Sequence, residues 1–213
     1  MSIDASRSAD IASPIRAWHD RAEQLTDWAI ARVFVRTDRF GGYYRDGEEV
    51  KKSARPNKGC GEPFSREVLI RHFRAEQTED VIGAYPLIPG EESTGRWVAI
   101  DIDAHDKTKG ADPERNRKYA EHLYRKLTAL GFGVLACHWG TGGYHLWVFL
   151  DRDVPGAVLF AFARWIVLDA TDAPWDYPER PETFPKQASV ATGKYGNWLR
   201  LVGRHHTQRR FPA

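Results

Sequence analysis

The sequence predicts an α+β fold whose second half runs β-α-β-β-α-β, and three observations carry that prediction. Helix-start signals stand at Ser13-Pro14, Ser65 and Asp112-Pro113, where a capping side chain precedes a helical pattern. Short apolar runs of strand length stand at Trp97 to Asp103, Val134 to His138 and Tyr144 to Leu150. Glycine or proline punctuates the junctions, at Gly131, at Gly140 to Gly143 and at Pro155.

Taken in order, Ser13 caps a first helix that carries Trp18, Ala22, Leu25 and Ala29 on one stripe. Val33 to Val35 reads as a strand, and the polar, glycine-rich stretch from Gly41 to Pro63 as a long loop or hairpin. Ser65 opens a second helix with Leu69 and Phe73 inward, and Val81 to Tyr85 is a strand stopped by Pro86. Trp97 to Asp103 is the next strand. Asp112 and Pro113 then open a helix with Tyr119, Leu123, Leu127 and Leu130 on one face, closed by Gly131. After the strand pair around the glycine turn, Pro155 opens an apolar helix to about Ala170. Two more strands follow near Glu182 to Gln187 and Trp198 to Val202. From Trp97 onward this is the RRM-like, or ferredoxin-like, order. Residues 1–90 are expected to form an N-terminal α/β subdomain packed on a core subdomain of residues 91–213.

The 213 residues suffice for one large domain or two small ones sharing a core. With 42% hydrophobic and 28% charged residues, the composition is that of an ordinary globular protein rather than a disordered one. Apolar runs such as Gly156 to Leu168 are too short to span a bilayer, and Met1 to Ala12 lacks the pattern of a secretory signal. Two cysteines, Cys60 and Cys137, give no metal cluster, so a reduced, cytoplasmic protein is expected. The net charge of +2 hides an asymmetry: no acidic residue follows Glu182, whereas Lys186, Lys194, Arg200, Arg204, Arg209 and Arg210 all do. That fits either a polyanionic partner or a solvated basic face.

The topology brings the chemistry together on paper. In a split β-α-β sheet the third strand lies between the first and second, and the fourth flanks the first on its outer side. The end of the first strand then meets the starts of the third and fourth, which places Asp101 and Asp103 near His145 and Glu182. Strand side chains alternate, so Asp101 and Asp103 share a face. Two carboxylates so close are costly without a cation, and hard oxygen ligands suit Mg²⁺ or Mn²⁺. Glu182 would complete a site for two divalent ions of the kind that serves phosphoryl chemistry. The turn Gly140-Thr141-Gly142-Gly143 lets backbone N–H groups approach phosphates, and His145 and Lys186 add donors for a nucleotide. Arg200 and Arg204 are assigned to DNA. The plain alternatives are a hairpin turn, a core histidine and surface cations. Trp139 and Trp198 lie near the site in sequence and are assigned to packing ahead of base stacking.

These motifs, in this order, resemble the archaeo-eukaryotic primase superfamily. The segments Ala-Ile-Asp101-Ile-Asp103-Ala-His and Gly-Gly-Tyr-His145-Leu-Trp-Val are similar to its first two motifs. Glu182-Thr-Phe-Pro-Lys186-Gln, then Gly196-Asn-Trp-Leu-Arg200-Leu, resemble a primase-polymerase subgroup of mobile elements, phages and conflict systems (TOTE-like). Arg71-His72-Phe73 and Tyr85-Pro86-Leu87 resemble it too, and the likeness spans residues 65 to 206. It implies an RRM-like catalytic core and a DNA-directed nucleotidyltransferase, a DNA primase or DNA polymerase that joins dNTPs or NTPs on a template or primer. By matching positions, Asp101, Asp103 and Glu182 would hold two Mg²⁺ or Mn²⁺ ions, with His145 on the triphosphate. Two departures stand out: Gly140 and Thr141 replace a common serine, and Glu182 must serve over Asp172 or Asp176 as the third acid. Many relatives carry a helicase or accessory module, so an excised catalytic domain is expected.

Three other readings compete. A replication-initiator endonuclease needs a His-x-His pair, whereas His205 and His206 are adjacent and would point apart on a strand. A glycosyltransferase with Asp-x-Asp expects a Rossmann-like half that this pattern lacks. An inert RRM-like binder of single strands leaves the acid pair without a purpose.

Overall fold

Local signals fix most of the elements. The computed structural model describes residues 14–55, 62–103, 105–106, 110–138, 140, 142–168, 180–207 and 212. Ser13, Cys60, Trp139, Thr141, residues 169–170, Asp172, Asp176, Arg209 and Arg210 therefore lie outside the described residues. Ser65 accepts from the Val68 amide at 3.3 Å and so opens α3, Arg66–Arg74. Asp112 does the same for Arg115 at 3.1 Å, with Pro113 as the first residue of the helix Pro113–Ala129.

The expected first helix is two: α1, Pro14–Asp20, and α2, Ala22–Arg32, break at Arg21. The break lets Trp18 stack on Phe73 of α3 at 6.1 Å while Ala22 and Ala29 stay in the core. The strand expected at Val33 to Val35 is absent. Val33 instead caps α2 by donating to Ala29 O, and its own carbonyl takes the Trp97 indole N–H at 2.8 Å. Val33 and Phe34 are buried because they plug the core from a turn.

The described part of the Gly41 to Pro63 stretch includes a hairpin, β1 (Phe40–Asp46) with β2 (Glu49–Arg55). With β3, Ile82–Ala84, it forms most of a first sheet. A long strand, β4 (Thr94–Ile102), then starts the second sheet, and a two-stranded ribbon that the sequence pattern did not predict follows it, β5 (His105–Asp106) with β6 (Gly110–Ala111). Next come α4 (Pro113–Ala129), β7 (Val134–His138), β8 (Tyr144–Pro155), α5 (Gly156–Leu168), β9 (Glu182–Phe184) and β10 (Leu199–Arg200). Pro155 ends β8 rather than opening α5, and Leu130, expected on the inner face of α4, caps that helix and is exposed.

The second sheet has the order β7-β8-β4-β9 with every pairing antiparallel, as the split arrangement requires. The last strand, β10, does not join it. It pairs antiparallel with β3 and completes the first sheet, β10-β3-β1-β2. Side-chain alternation on β4 separates two cores. Val98, Ile100 and Ile102 pack with Leu146 and Val148 against α4 and α5. Trp97 and Ala99 pack with Trp147 and Phe184 against α2, α3 and one face of the first sheet. The fold is thus α+β, two antiparallel sheets with helices packed against them. No helix among the described residues is long and apolar enough to cross a membrane.

Candidate active site

The odd-numbered side of β4 leaves the core at residue 101. Directly across from Asp101 lie His145 on β8 and Glu182 on β9. The three form one row on one face, since paired residues in adjacent strands project to the same side. Asp103 continues that side just past the end of β4 and packs against the glycine turn, where a methyl on Gly143 would lie 3.1 Å from its carboxylate. In register, His145 pairs with Asp101 rather than with Asp103.

These residues line a cleft of about 490 Å³ between the second sheet and the outer face of the first. Tyr43, Lys52, Trp198 and Arg200 come from the first-sheet side, and Lys186, Tyr195, His205 and His206 also line it. His145 Nε2 stands 3.4 Å from Asp101 Oδ1, with the His145 side chain 7% exposed and that of Asp101 25%. Burial alone would raise the Asp101 carboxyl. The neighbouring His145, Arg200 and Lys52 outweigh that and hold it below its usual value, so it is ionised at neutral pH. Arg200 is buried, which lowers its guanidinium from its usual value, and Tyr43, Asp101, Cys137 and Asp103 work against that shift. It also meets His206 Nδ1 at 3.1 Å.

Glu182 is exposed and pairs with Lys186 at 2.7 Å. Among the described residues, no three His, Cys, Asp or Glu side chains are gathered as a ready metal cluster. The fit to divalent ions therefore rests on the hard oxygen donors of Asp101 and Asp103 side by side in the cleft, with Glu182 in register beside them. The glycine turn is braced from α4: Asn116 Nδ2 donates to Gly142 O at 3.0 Å, and a methyl on Gly142 would press on Pro113. Gly142 has φ of 93°, open to glycine and strained for other residues.

Two expectations are corrected. Arg204 does not line this cleft; it is buried, and its Nη1 donates at 2.9 Å to Ala75 O and Glu76 O at the end of α3. His205 and His206 do not diverge, because they lie in an irregular segment after β10 rather than on a strand. Their rings are 4.5 Å apart, and His206 stacks on Tyr43 at 4.4 Å. Burial, reinforced by Arg200, lowers His205 to about 3 and His206 to about 4, so both are neutral at physiological pH.

A family model described as the archaeo-eukaryotic primase domain of the TOTE conflict system matches residues 32–210. The chain belongs to that family. No curated protein matches this primase-family chain in sequence. Among solved structures it is similar to the polymerase domain from Mycobacterium tuberculosis ligase D in complex with DNA. That likeness has 9% identity and a TM-score of 0.41, covering 71% of this chain and 61% of the other.

Sequence reasoning missed the first-sheet wall of the primase-family cleft. Tyr43 and Lys52 were read as part of a polar loop or hairpin, and Tyr85 as the end of a strand, none of them with a place in the site. A usable signal was present in Gly41 and Gly83, glycines inside strands, which often mark a close approach.

Proposed function

We propose that this chain is the catalytic domain of a DNA-directed nucleotidyltransferase, a primase or polymerase that joins nucleotides on a DNA template. The observation that carries this reading is the row His145, Asp101 and Glu182 across three strands, with Asp103 beside it, in a cleft that also holds Lys52, Lys186 and Arg200. Asp101, Asp103 and Glu182 would hold two Mg²⁺ or Mn²⁺ ions. Such ions, when bound, activate an attacking hydroxyl and neutralise the charge of the leaving pyrophosphate.

The chain's own residues do the rest. His145 keeps the Asp101 carboxylate ionised and oriented from within the row. Gly143, packed against Asp103, would bring the backbone of the glycine turn toward a phosphate held by the acids. Lys186 is already drawn to an anion in the cleft, and a triphosphate is a stronger one. Arg200 sits on the cleft wall, too buried for a strand lying across the rim, so its place is toward the nucleotide and the acids rather than toward DNA. Template and primer would lie over the open side, near Lys52 and Lys186.

Synthesis with and without a primer, with each nucleotide type and with Mg²⁺ or Mn²⁺, tests the reading. Asp101→Ala with Asp103→Ala should lower incorporation by at least about 10²-fold, the scale on which loss of electrostatic catalysis is felt. DNA binding should stay near normal. Near-wild-type incorporation by the double variant would overturn the assignment, and DNA binding without synthesis by the wild type would favour the inert binder.

A further inference from the structure

Gly41 and Gly83 face each other in register on the neighbouring strands β1 and β3. Alternation puts them on the same outer face of the first sheet as Tyr43 and Lys52. Two opposed glycines leave a bare patch there, and Trp198 covers it. A methyl on Gly41 would come within 2.0 Å of indole Cδ2 and 2.4 Å of both Cε2 and Cε3. One on Gly83 would come within 2.2 Å of Cε3. Near-equal approach to three fused-ring atoms means that the indole lies face down on the sheet.

A ring seated by one face directs the other away from the sheet, and Trp198 lines the cleft that holds Asp101 and Asp103. Tyr43 meets it edge to face at 5.4 Å and fixes its tilt. The Lys52 ammonium lies over it at 5.8 Å. Arg200, two residues further on, interacts electrostatically with both Asp101 and Asp103. Two cations, one of them over the ring, and a fixed aromatic plane thus line the same cleft as the acids.

We infer that Trp198 is a stacking platform for the nucleobase of a bound nucleoside triphosphate, with the Gly41 and Gly83 pair as its seat. This rests on the nucleotidyltransferase reading of the same cleft. Stacking uses the π-face that every base shares, so the platform raises affinity for purine and pyrimidine nucleotides alike and does not choose among them.

The test compares binding of Mg²⁺-ATP, Mg²⁺-dATP, Mg²⁺-UTP and Mg²⁺-tripolyphosphate to the whole chain by calorimetry. Trp198→Ala should weaken the nucleotides about 5- to 150-fold, the range of a lost base–aromatic stack, and leave tripolyphosphate within twofold. Trp198→Phe should recover most of the affinity, and Gly41→Ala, which displaces the indole, should repeat the loss. Equal weakening of tripolyphosphate, or nucleotide affinity unchanged by Trp198→Ala, overturns the platform. A wild type that binds none of the four overturns the platform together with the nucleotidyltransferase reading. Wild-type nucleotide binding lost in Trp198→Ala, without any synthesis, upholds the platform and rejects that reading alone.

Discussion

Acid should loosen this fold through His72, and the size of the effect follows from its surroundings. His72 is fully buried; its Nδ1 accepts from the Ile82 amide at 3.1 Å and its Nε2 faces Val202 O at 3.0 Å. The first bond requires a bare Nδ1, so Nε2 carries the proton and the ring is neutral. Burial lowers the ring from 6.5 to about 4. The unfolded chain therefore takes up this proton at a higher pH than the folded one, and acid favours unfolding. The stabilisation is complete above pH 6.5 and drains away as pH falls toward 4. The full gap corresponds to about 3 kcal/mol, and roughly 2 kcal/mol of it is gone between pH 7 and 5. Carboxylates held low, and His205 and His206, also titrate as pH falls, so the measurement is a difference. Urea unfolding of wild type and His72→Gln at pH 7 and pH 5 isolates the ring. The variant should be less stable at pH 7 and lose about 2 kcal/mol less than wild type on acidification. An equal loss in both proteins would refute the reasoning.

Arg204→Met should cost about 2 kcal/mol of stability, because it strips the buried Ala75 carbonyl and the part-buried Glu76 carbonyl of a charged donor, while the salt dependence of DNA binding stays unchanged. A flattened salt slope with normal stability would return Arg204 to the DNA interface. Lys52→Ala and Lys186→Ala should each flatten the slope of log affinity against log salt by about one unit if a strand lies over the open side of the cleft. Slopes identical to wild type in both would remove DNA from that side.

The second sheet was readable because its signals are local and its topology allows few choices. Trp97 to Asp103 and Val134 to His138 are apolar runs between clear stops, and one split arrangement then sets the neighbours of β4. Asp101 and Asp103 could be placed on one face by alternation alone. The first sheet was harder to read. Its strand β3 is only three residues long, and β10 only two, so each depends on partners distant in the chain. Val33 and Phe34 have strand-like side chains, but the Trp97 indole and the end of α2 claim their backbone, and tertiary context overrides propensity. Arg204 carries the same charge as Lys52 in the sequence. Only the open carbonyls at the end of α3 reveal that it serves the fold.

The first sheet supplies much of the charge balance of the site. Asp101 rides on a strand gripped on both faces, by the Trp97 and Ala99 core on one side and the Ile100 and Ile102 core on the other. Such a strand cannot bend to relieve two neighbouring carboxylates. Asp101 is held below its usual value by His145 beside it on the second sheet and by two groups of the first sheet, Arg200 on β10 and Lys52 on β2. Arg200 in turn is kept charged within the protein partly by Asp101 and Asp103. Each sheet carries charges that would be costly to bury alone, and closing one sheet on the other is what makes them tolerable. The return of β10 to the first sheet, after the chain has built the second, therefore sets the electrostatics of the acid pair as well as the topology.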